Sequence, residues 1–217
     1  MMPLTKEQIR LAITVLALLI SGLTYSYLAI GIAPLLIIGI PGVFGYFLWY
    51  STYLKHPTDP AIILPPFLAT VAGFEFHVIE EYLGNYSQAI SRIFNFPWTA
   101  NAFVVTVFIL TGALTLVSIG LYYRKPIAGF IAILFVLTRL AELLLFIFPL
   151  IKPELQPEVS YSISQTISGW FVADMPTYYY YTTGHYYFPG MYTWILTLVP
   201  ALITLHKIRK ASFSRNS

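Results

Sequence analysis

The chain of 217 residues contains no cysteine, which excludes disulfides, thiolate metal sites and cysteine nucleophiles. Charged residues are scarce as well, because only 10% of the residues are Asp, Glu, Lys or Arg, against roughly 25% in a soluble domain. The sequence also lacks any polar stretch long enough to build a soluble core. Any chemistry therefore falls to histidine, carboxylate, tyrosine and hydroxyl side chains.

Hydrophobic residues, in contrast, make up 58% of the chain, and the mean hydropathy is +0.73. This composition predicts an all-α, polytopic helical membrane protein, with residues 1–217 forming a single membrane domain. The net charge of +3 is modest and is distributed over short clusters between apolar runs, which argues against a nucleic-acid partner. We expect membrane lipids as partners and assign no oligomeric state.

The apolar runs are long enough for about six transmembrane helices. They lie at approximately 11–30, 35–54, 61–83, 99–123, 127–148 and 190–205. Residues 149–189 predict one long extracytoplasmic loop, and its many tyrosines favour a position at the membrane interface. Two smaller features are a predicted kink at Pro41-Gly42 and a short amphipathic turn at Ala89–Phe94.

The basic residues indicate the orientation of these helices. With both termini cytoplasmic, Arg92 and Lys152 fall outside and Arg139 lies within the membrane. The other nine fall on the inner side, and they are Lys6, Arg10, Lys55, Arg124, Lys125, Lys207, Arg209, Lys210 and Arg215. This excess obeys the positive-inside rule. It predicts a multi-pass protein of the cell membrane with cytoplasmic N- and C-termini.

The stretch His77-Val78-Ile79-Glu80-Glu81 interrupts the apolar run Ala61–Leu83 with three ionisable side chains. On a helix, glutamates three and four residues after a histidine lie on the same face as that histidine. Ionisable side chains within a membrane helix are costly, so they normally face a protein interior or a wet cavity and mark a function. The plainer alternative is a hydrogen-bonded polar cluster that holds helices together.

The predicted topology brings further polar residues to the same depth. His77 lies sixteen residues past Ala61, which is about 24 Å along a helix, and Glu142 lies fifteen residues past Ile127, which is about 22 Å. His185 precedes the last helix and Asn101 opens the fourth, both on the outer side. The sequence therefore predicts one polar site in the outer half of the membrane.

We assign candidate roles by chemistry. The catalytic candidates are His77, Glu80, Glu81 and Glu142, with either Glu80 or Glu81 as the reacting group. The candidate ligands for one divalent metal ion are His77, Glu81 and His185. The substrate-binding candidates are Arg139, Tyr187 and Asn101. The same groups could instead form a proton relay. For Arg139 and Glu142, at i, i+3, a plain ion pair is the alternative.

These motifs resemble a family of bacterial and archaeal membrane proteins named for an HXXEE motif. The resemblance includes HVIEEYLG, the amphipathic SQAISRIFNFPWTANAF that follows, and HYYFPGMYTWIL, in which Tyr187, Pro189, Gly190 and Thr193 match the family's tyrosine-x-proline-glycine segment. The family has no settled activity and has been suspected of metal binding or enzymatic work. One departure is that the family has another histidine a helical turn or more upstream of this segment, whereas here only Asp174 lies upstream and His185 lies very close to the segment.

Three functions fit these residues. The first is a membrane enzyme acting on a lipid or isoprenoid by acid–base or metal-assisted chemistry, such as isomerisation, hydration or hydrolysis. The second is a carrier of a small ligand, a proton or a cation. The third is a non-catalytic subunit of a membrane complex. The sequence contains no glycine-rich phosphate loop, no H-E-x-x-H and no nucleophile elbow, which excludes the enzyme classes that depend on those motifs.

Overall fold

The computed structural model describes residues 4–94, 96–147 and 188–213, and within them the chain is all-helical, which confirms the predicted class. The helices are α1 Lys6–Ile30, α2 Ile40–Ser51, α3 Pro60–Leu83, α4 Tyr86–Phe94, α5 Ala100–Tyr122, α6 Pro126–Glu142 and α7 Trp194–Phe213. Two π-helical segments, Leu35–Gly39 and Leu143–Ile147, precede α2 and follow α6.

Four helices in the described residues are long and apolar enough to cross a membrane, namely α1, α3, α5 and the stretch Pro126–Leu145. Leu35–Ser51 is a shorter apolar helix. Large apolar side chains such as Phe108 and Leu116 are exposed, as expected where a helix faces lipid. The protein is therefore a helical membrane protein, while the predicted count of about six spans and the single domain of residues 1–217 stay predictions.

The second helix is continuous from Leu35 to Ser51, which is shorter than the predicted 35–54, and its first five residues are π-helical. Because Pro41 has no N–H, it cannot close the α-helical bond to the carbonyl four residues earlier. The N–H of Ile40 accordingly donates to the carbonyl of Leu35, five residues back, and the chain is π-helical up to Gly39. The helix type therefore changes just before Pro41, α2 ends at Ser51, and the kink expected at Pro41-Gly42 stays a prediction.

The last helix also differs from the predicted 190–205. It begins at Trp194, because Gly190 adopts a left-handed φ of 91° within a turn, and it continues to Phe213. Lysine and arginine favour helix, so the basic tail extends α7. Of the predicted loop 149–189, only Phe188 and Pro189 lie within the described residues.

The amphipathic turn predicted at Ala89–Phe94 is part of a longer helix, α4, which follows α3 almost directly. Its buried side is formed by Tyr86, Ala89 and Ile90. The ring of Tyr86 lies 5.8 Å from that of Phe188, which precedes α7. The short helix therefore contacts the chain that leads into the last helix.

Helix α3 packs most extensively against α7 and also against α5. Gly73 makes the α3–α7 contact possible, because a Cβ at this position would overlap the backbone carbonyl of Leu196. The close approach brings the residues that follow Gly73 on α3 next to the start of α7.

Helices α3 and α6 run parallel and in register. Arg124, just before α6, donates to Asp59, the N-cap of α3, across 2.7 Å, and these two residues are 65 positions apart in the chain. His77 and Glu142, at the other ends of the two helices, are also 65 positions apart. Between these contacts, the ring of Phe135 lies 5.4 Å from that of Phe74. An aromatic layer therefore lies directly beneath the polar end of the pair.

Candidate functional site

The three ionisable residues of the HVIEE stretch share one buried face of α3. His77 is 1% exposed, Glu80 6% and Glu81 3%. The i, i+3 and i+4 spacing accounts for this, because these positions project from the same side of a helix. Glu142, at the end of α6, is 4% exposed and faces the same interior.

The imidazole of His77 stands between two carboxylates. Its Nε2 lies 3.4 Å from Oε1 of Glu81 and 3.4 Å from Oε1 of Glu142. One donor atom from each of these three residues lies within 4.8 Å of the others. We refer to His77, Glu81 and Glu142 as the donor triad. The structure thus brings Glu142, 65 positions later in the chain, to His77 and Glu81, which are one helical turn apart on α3. The three side chains form an arrangement that can hold a proton or a metal ion.

Arg139 balances one carboxylate of the donor triad. Its Nη1 donates to Oε2 of Glu142 across 2.8 Å, so the predicted i, i+3 ion pair is present. The guanidinium also lies over the rings of Phe74 and Phe135, at 4.9 Å and 5.5 Å from their centroids, where cation–π attraction favours it. Its Nε is buried and has no hydrogen-bond partner within the described residues. Arg139 is therefore held by one carboxylate and two rings, and one of its donors is buried without an acceptor in this part of the chain.

Glu80 faces a different partner from Glu81, although the two are neighbours. Its Oε1 accepts the backbone N–H of Tyr192 at 3.1 Å, and its Oε2 accepts both the N–H and the hydroxyl of Thr193, at 2.8 Å and 2.7 Å. These donors lie immediately before α7, where the first N–H groups of a helix have no partner within the helix. Glu80 is therefore bound to the start of α7, whereas Glu81 belongs to the donor triad.

The same segment also contacts the other side of the His77 ring. Oγ1 of Thr193 lies 3.2 Å from Nδ1 of His77. A Cβ at Gly190 would overlap the imidazole ring, so only glycine leaves room for it. The segment 190–193 therefore fixes both the position and the rotation of the ring.

Tyr86 completes the surroundings on the side of α4. Burial raises the pKa of its phenol well above the usual value, and the carboxylates of Glu142 and Glu81 raise it further. The phenol therefore stays protonated near the carboxyl groups of Glu142 and Glu81. The Tyr86 ring packs against Trp98 and Phe103, at 6.0 Å and 5.8 Å, so aromatic side chains border the site here as they do beneath it.

The other predicted site residues do not join this cluster. Asn101 is exposed in the first turn of α5 and makes none of the polar contacts described above. His185 and Tyr187 lie outside the described residues. Of the predicted metal ligands His77, Glu81 and His185, the first two are together, and Glu142, predicted as catalytic, occupies the third place in the described residues.

Sequence reasoning missed three residues of the site, namely Thr193, Gly190 and Tyr86. A signal existed for Thr193 and Gly190, because both belong to the segment HYYFPGMYTWIL that resembles the HXXEE family. Tyr86 gave no such signal, since one tyrosine among 17 does not stand out.

No family model matches the sequence, and neither the curated proteins nor the solved structures include a match to it. The resemblance to the HXXEE family therefore stays a prediction that rests on the quoted motifs. The function of the site has to be argued from its own geometry.

Proposed function

We propose that the protein is an integral membrane enzyme whose donor triad, His77, Glu81 and Glu142, binds one divalent metal ion and acts on a lipophilic substrate. The observation that carries this proposal is the pair of 3.4 Å distances from Nε2 of His77 to the two carboxylate oxygens. Hydrogen bonds between nitrogen and oxygen are shorter, roughly 2.7–3.2 Å. Two ligand atoms that each lie about 2.1 Å from a tetrahedral ion are roughly 3.4 Å apart.

The charges support the same reading. Glu81 and Glu142 are both buried beside one imidazole, and carboxylates in such a place need a cation between them or a shared proton. Of the two carboxylates, it is Glu142 that forms the ion pair with Arg139. A divalent ion at the donor triad would balance the remaining negative charge without requiring His77 to carry a proton on Nε2.

The number of protein ligands at the donor triad is typical of a catalytic metal site. Three protein ligands leave a coordination position open for water or for a substrate oxygen, as in catalytic zinc sites. The ion would supply Lewis acidity there. The free Nε of Arg139 can hold an anionic group of the substrate, because a guanidinium binds carboxylate and phosphate well. The surrounding apolar helices favour a lipid or an isoprenoid as the substrate.

A second candidate is a carrier that binds and releases a proton or a cation. The proximity of Glu81 and Glu142 favours it, because two carboxylates beside one histidine would share a proton when no metal is bound. The two functions differ in whether a metal ion stays bound, and whether charge crosses the membrane.

Metal content is the decisive measurement. We expect about one divalent ion per chain in the purified protein after equilibration with zinc, manganese or iron, measured by mass spectrometry of the metals. His77→Ala and Glu81→Gln should lose the ion. Glu75→Gln should retain it, because Glu75 lies on the same helix but accepts its hydrogen bond from Thr111 on α5. Metal-free wild type, or equal metal in all four proteins, contradicts the proposal.

Turnover and transport separate the two candidates. Wild type and Glu81→Gln are reconstituted in bacterial polar lipids mixed with isoprenoid alcohols, and the lipids are compared by mass spectrometry. New products that depend on Glu81 support the enzyme. In the same vesicles, a pH-sensitive dye reports proton uptake. Uptake that depends on Glu81, without any lipid product, favours the carrier and counts against the enzyme.

We also propose that the protein lies in the cell membrane with both termini in the cytoplasm, which puts the donor triad in the outer half. The excess of basic residues near the predicted inner ends supports this orientation. The absence of native cysteine makes a direct test possible. An impermeant maleimide should label Gln88→Cys on intact cells, whereas Lys125→Cys should react only after permeabilisation, since both positions are exposed. The reverse pattern would overturn the orientation.

A further inference from the structure

We propose that Glu80 is a positioning residue that acts through the hydroxyl of Thr193 to keep the proton of His77 on Nδ1, and so turns Nε2 toward the carboxylates of the donor triad. This inference rests on the proposed function for its purpose, since a metal ligand has to present an unprotonated nitrogen. The geometry behind it involves no metal and can be tested separately.

The direction of the hydrogen bonds follows from counting protons. Glu80 accepts two backbone N–H groups and the hydroxyl of Thr193, which is the pattern of an ionised carboxylate. A hydroxyl has a single proton, and that of Thr193 is directed at Glu80 across 2.7 Å. Toward His77, Oγ1 of Thr193 can therefore only accept. The imidazole nitrogen that faces it, Nδ1 at 3.2 Å, has to be the donor.

The consequence appears at the other nitrogen of the ring. With Nδ1 protonated, Nε2 presents either a lone pair or a second proton to Glu81 and Glu142. The lone pair is the form that binds a metal ion, and metal-binding histidines commonly donate their other N–H to an oxygen that fixes the ring. Here the oxygen is a hydroxyl that is itself held by a carboxylate, so Glu80, Thr193 and His77 form a relay. We call these three residues the Glu80 relay.

The Glu80 relay also links the site to the start of α7. The two N–H groups that Glu80 accepts belong to the residues just before Trp194, and a carboxylate is favoured there by the helix dipole. The same few residues include Gly190, which gives the ring its space. Displacing the start of α7 would therefore remove the acceptor from Nδ1 and change which nitrogen is protonated.

The relay assigns different roles to the adjacent glutamates of the HVIEE stretch. Glu81 contacts Nε2 of His77, one of the atoms that would bind the ion, whereas Glu80 accepts hydrogen bonds from Thr193 and from the backbone beside it. Glu80 should therefore affect the site through His77 and should not react itself.

Nuclear magnetic resonance of ¹⁵N-histidine in the metal-free protein tests the relay directly. The His77 signals are assigned by their loss in His77→Asn. We expect Nδ1 to be protonated in wild type, and its shift to change in Thr193→Val, which removes the acceptor. Thr197→Val is the matched control, because Thr197 is the next threonine along, four residues later on α7, and its buried hydroxyl has no partner within the described residues. An unprotonated Nδ1 in wild type, or the same spectrum in Thr193→Val, overturns the proposal.

Metal affinity supplies a second readout. Loss of an outer contact to a metal-binding histidine typically weakens metal affinity by about 10–100-fold, so we expect this loss in Thr193→Val and in Glu80→Gln. Thr193→Ser retains the hydroxyl and should restore affinity to within about threefold of wild type. If the serine variant binds as weakly as the valine variant, Thr193 acts through packing and the relay is wrong. If wild type binds no metal, the proposed function fails, and the histidine spectra alone decide on the relay.

Discussion

The two ends of the α3–α6 pair carry the same kinds of charge in different surroundings. At the first end, Arg124 and Asp59 form an ion pair whose side chains are 53% and 46% exposed. At the other end, Arg139 and Glu142 form an ion pair whose side chains are 14% and 6% exposed, beside His77 and Glu81. The two contacts have nearly the same length, 2.7 Å and 2.8 Å, so length does not distinguish them.

The two ion pairs differ in their effect on stability, because one is exposed and the other is buried. An exposed pair contributes about 0–1 kcal/mol, because water and salt screen it. A buried pair has to compensate the loss of hydration of both ions, and removing one partner leaves a charge that nothing balances. The first end fixes where the two helices begin, whereas the second places charges where a membrane helix normally excludes them. Such a placement is retained for a function more readily than for stability.

Removing Arg139 should have the largest effect on stability. In the metal-free protein, Arg139→Met leaves Glu142 buried and uncompensated, and we expect a loss of about 3–5 kcal/mol. Unfolding by denaturant in detergent micelles, followed by circular dichroism, measures this loss. The double variant Arg139→Met/Glu142→Leu should recover most of it while failing to bind metal, because an apolar pair fits a buried position well. A small loss in the single variant would show that the buried end is as solvated as the exposed one.

Replacing Gly190 should have an intermediate effect. Both Gly190 and Gly31 have a left-handed φ, of 91° and 79°, so alanine is strained at either position. A Cβ at Gly190 would also overlap the His77 ring, whereas one at Gly31 would meet no atom of the described residues within 4 Å. We expect Gly190→Ala to be less stable than Gly31→Ala by about 1–3 kcal/mol, the usual cost of overpacking.

The same denaturant experiment compares the two glycines directly. Metal binding adds a second readout, since only Gly190→Ala should weaken it. Equal stability of the two alanine variants would mean that the chain before α7 does not press on the imidazole, and this would also weaken the argument for the Glu80 relay.

The exposed ion pair should give the smallest effect. Arg124→Gln should cost less than about 1 kcal/mol, and raising the salt concentration should reduce the difference from wild type further. The unfolding midpoints at low and high salt measure both quantities. A loss as large as that of Arg139→Met would remove the contrast between the two ends of the helix pair.

The sequence was sufficient to predict the apolar helices and the shared face of His77, Glu80 and Glu81, because both depend on local spacing along one helix. It was also sufficient to predict that His77 and Glu142 lie at the same depth, since each depth depends only on the number of residues from a helix start. The contact between them shows the two helices in register. The roles assigned to these residues remain predictions.

The remaining features depend on contacts that local spacing does not encode. The difference between Glu80 and Glu81 arises from backbone N–H groups 112 and 113 positions later in the chain, at the start of a helix whose boundary itself was predicted four residues too early. The π-helical segment before α2 follows from the missing N–H at Pro41. A pattern of hydrophobic residues does not predict such a change in backbone hydrogen bonding. The place of Tyr86 near the carboxylates results from packing of α4 against the chain before α7.

The 65-residue register between α3 and α6 has a consequence for biosynthesis. The ribosome makes His77, Glu80 and Glu81 before it makes their partners on α6 and at the start of α7. At roughly 5–20 residues per second, the donors of Thr193, 113 positions later, follow roughly 6–23 s behind. The Glu80 carboxylate of newly made α3 therefore lacks these donors beside or within the bilayer until α7 has been synthesised. Helix α3 can reach its final packing only after that. The last helix to be synthesised thus completes the burial of the third.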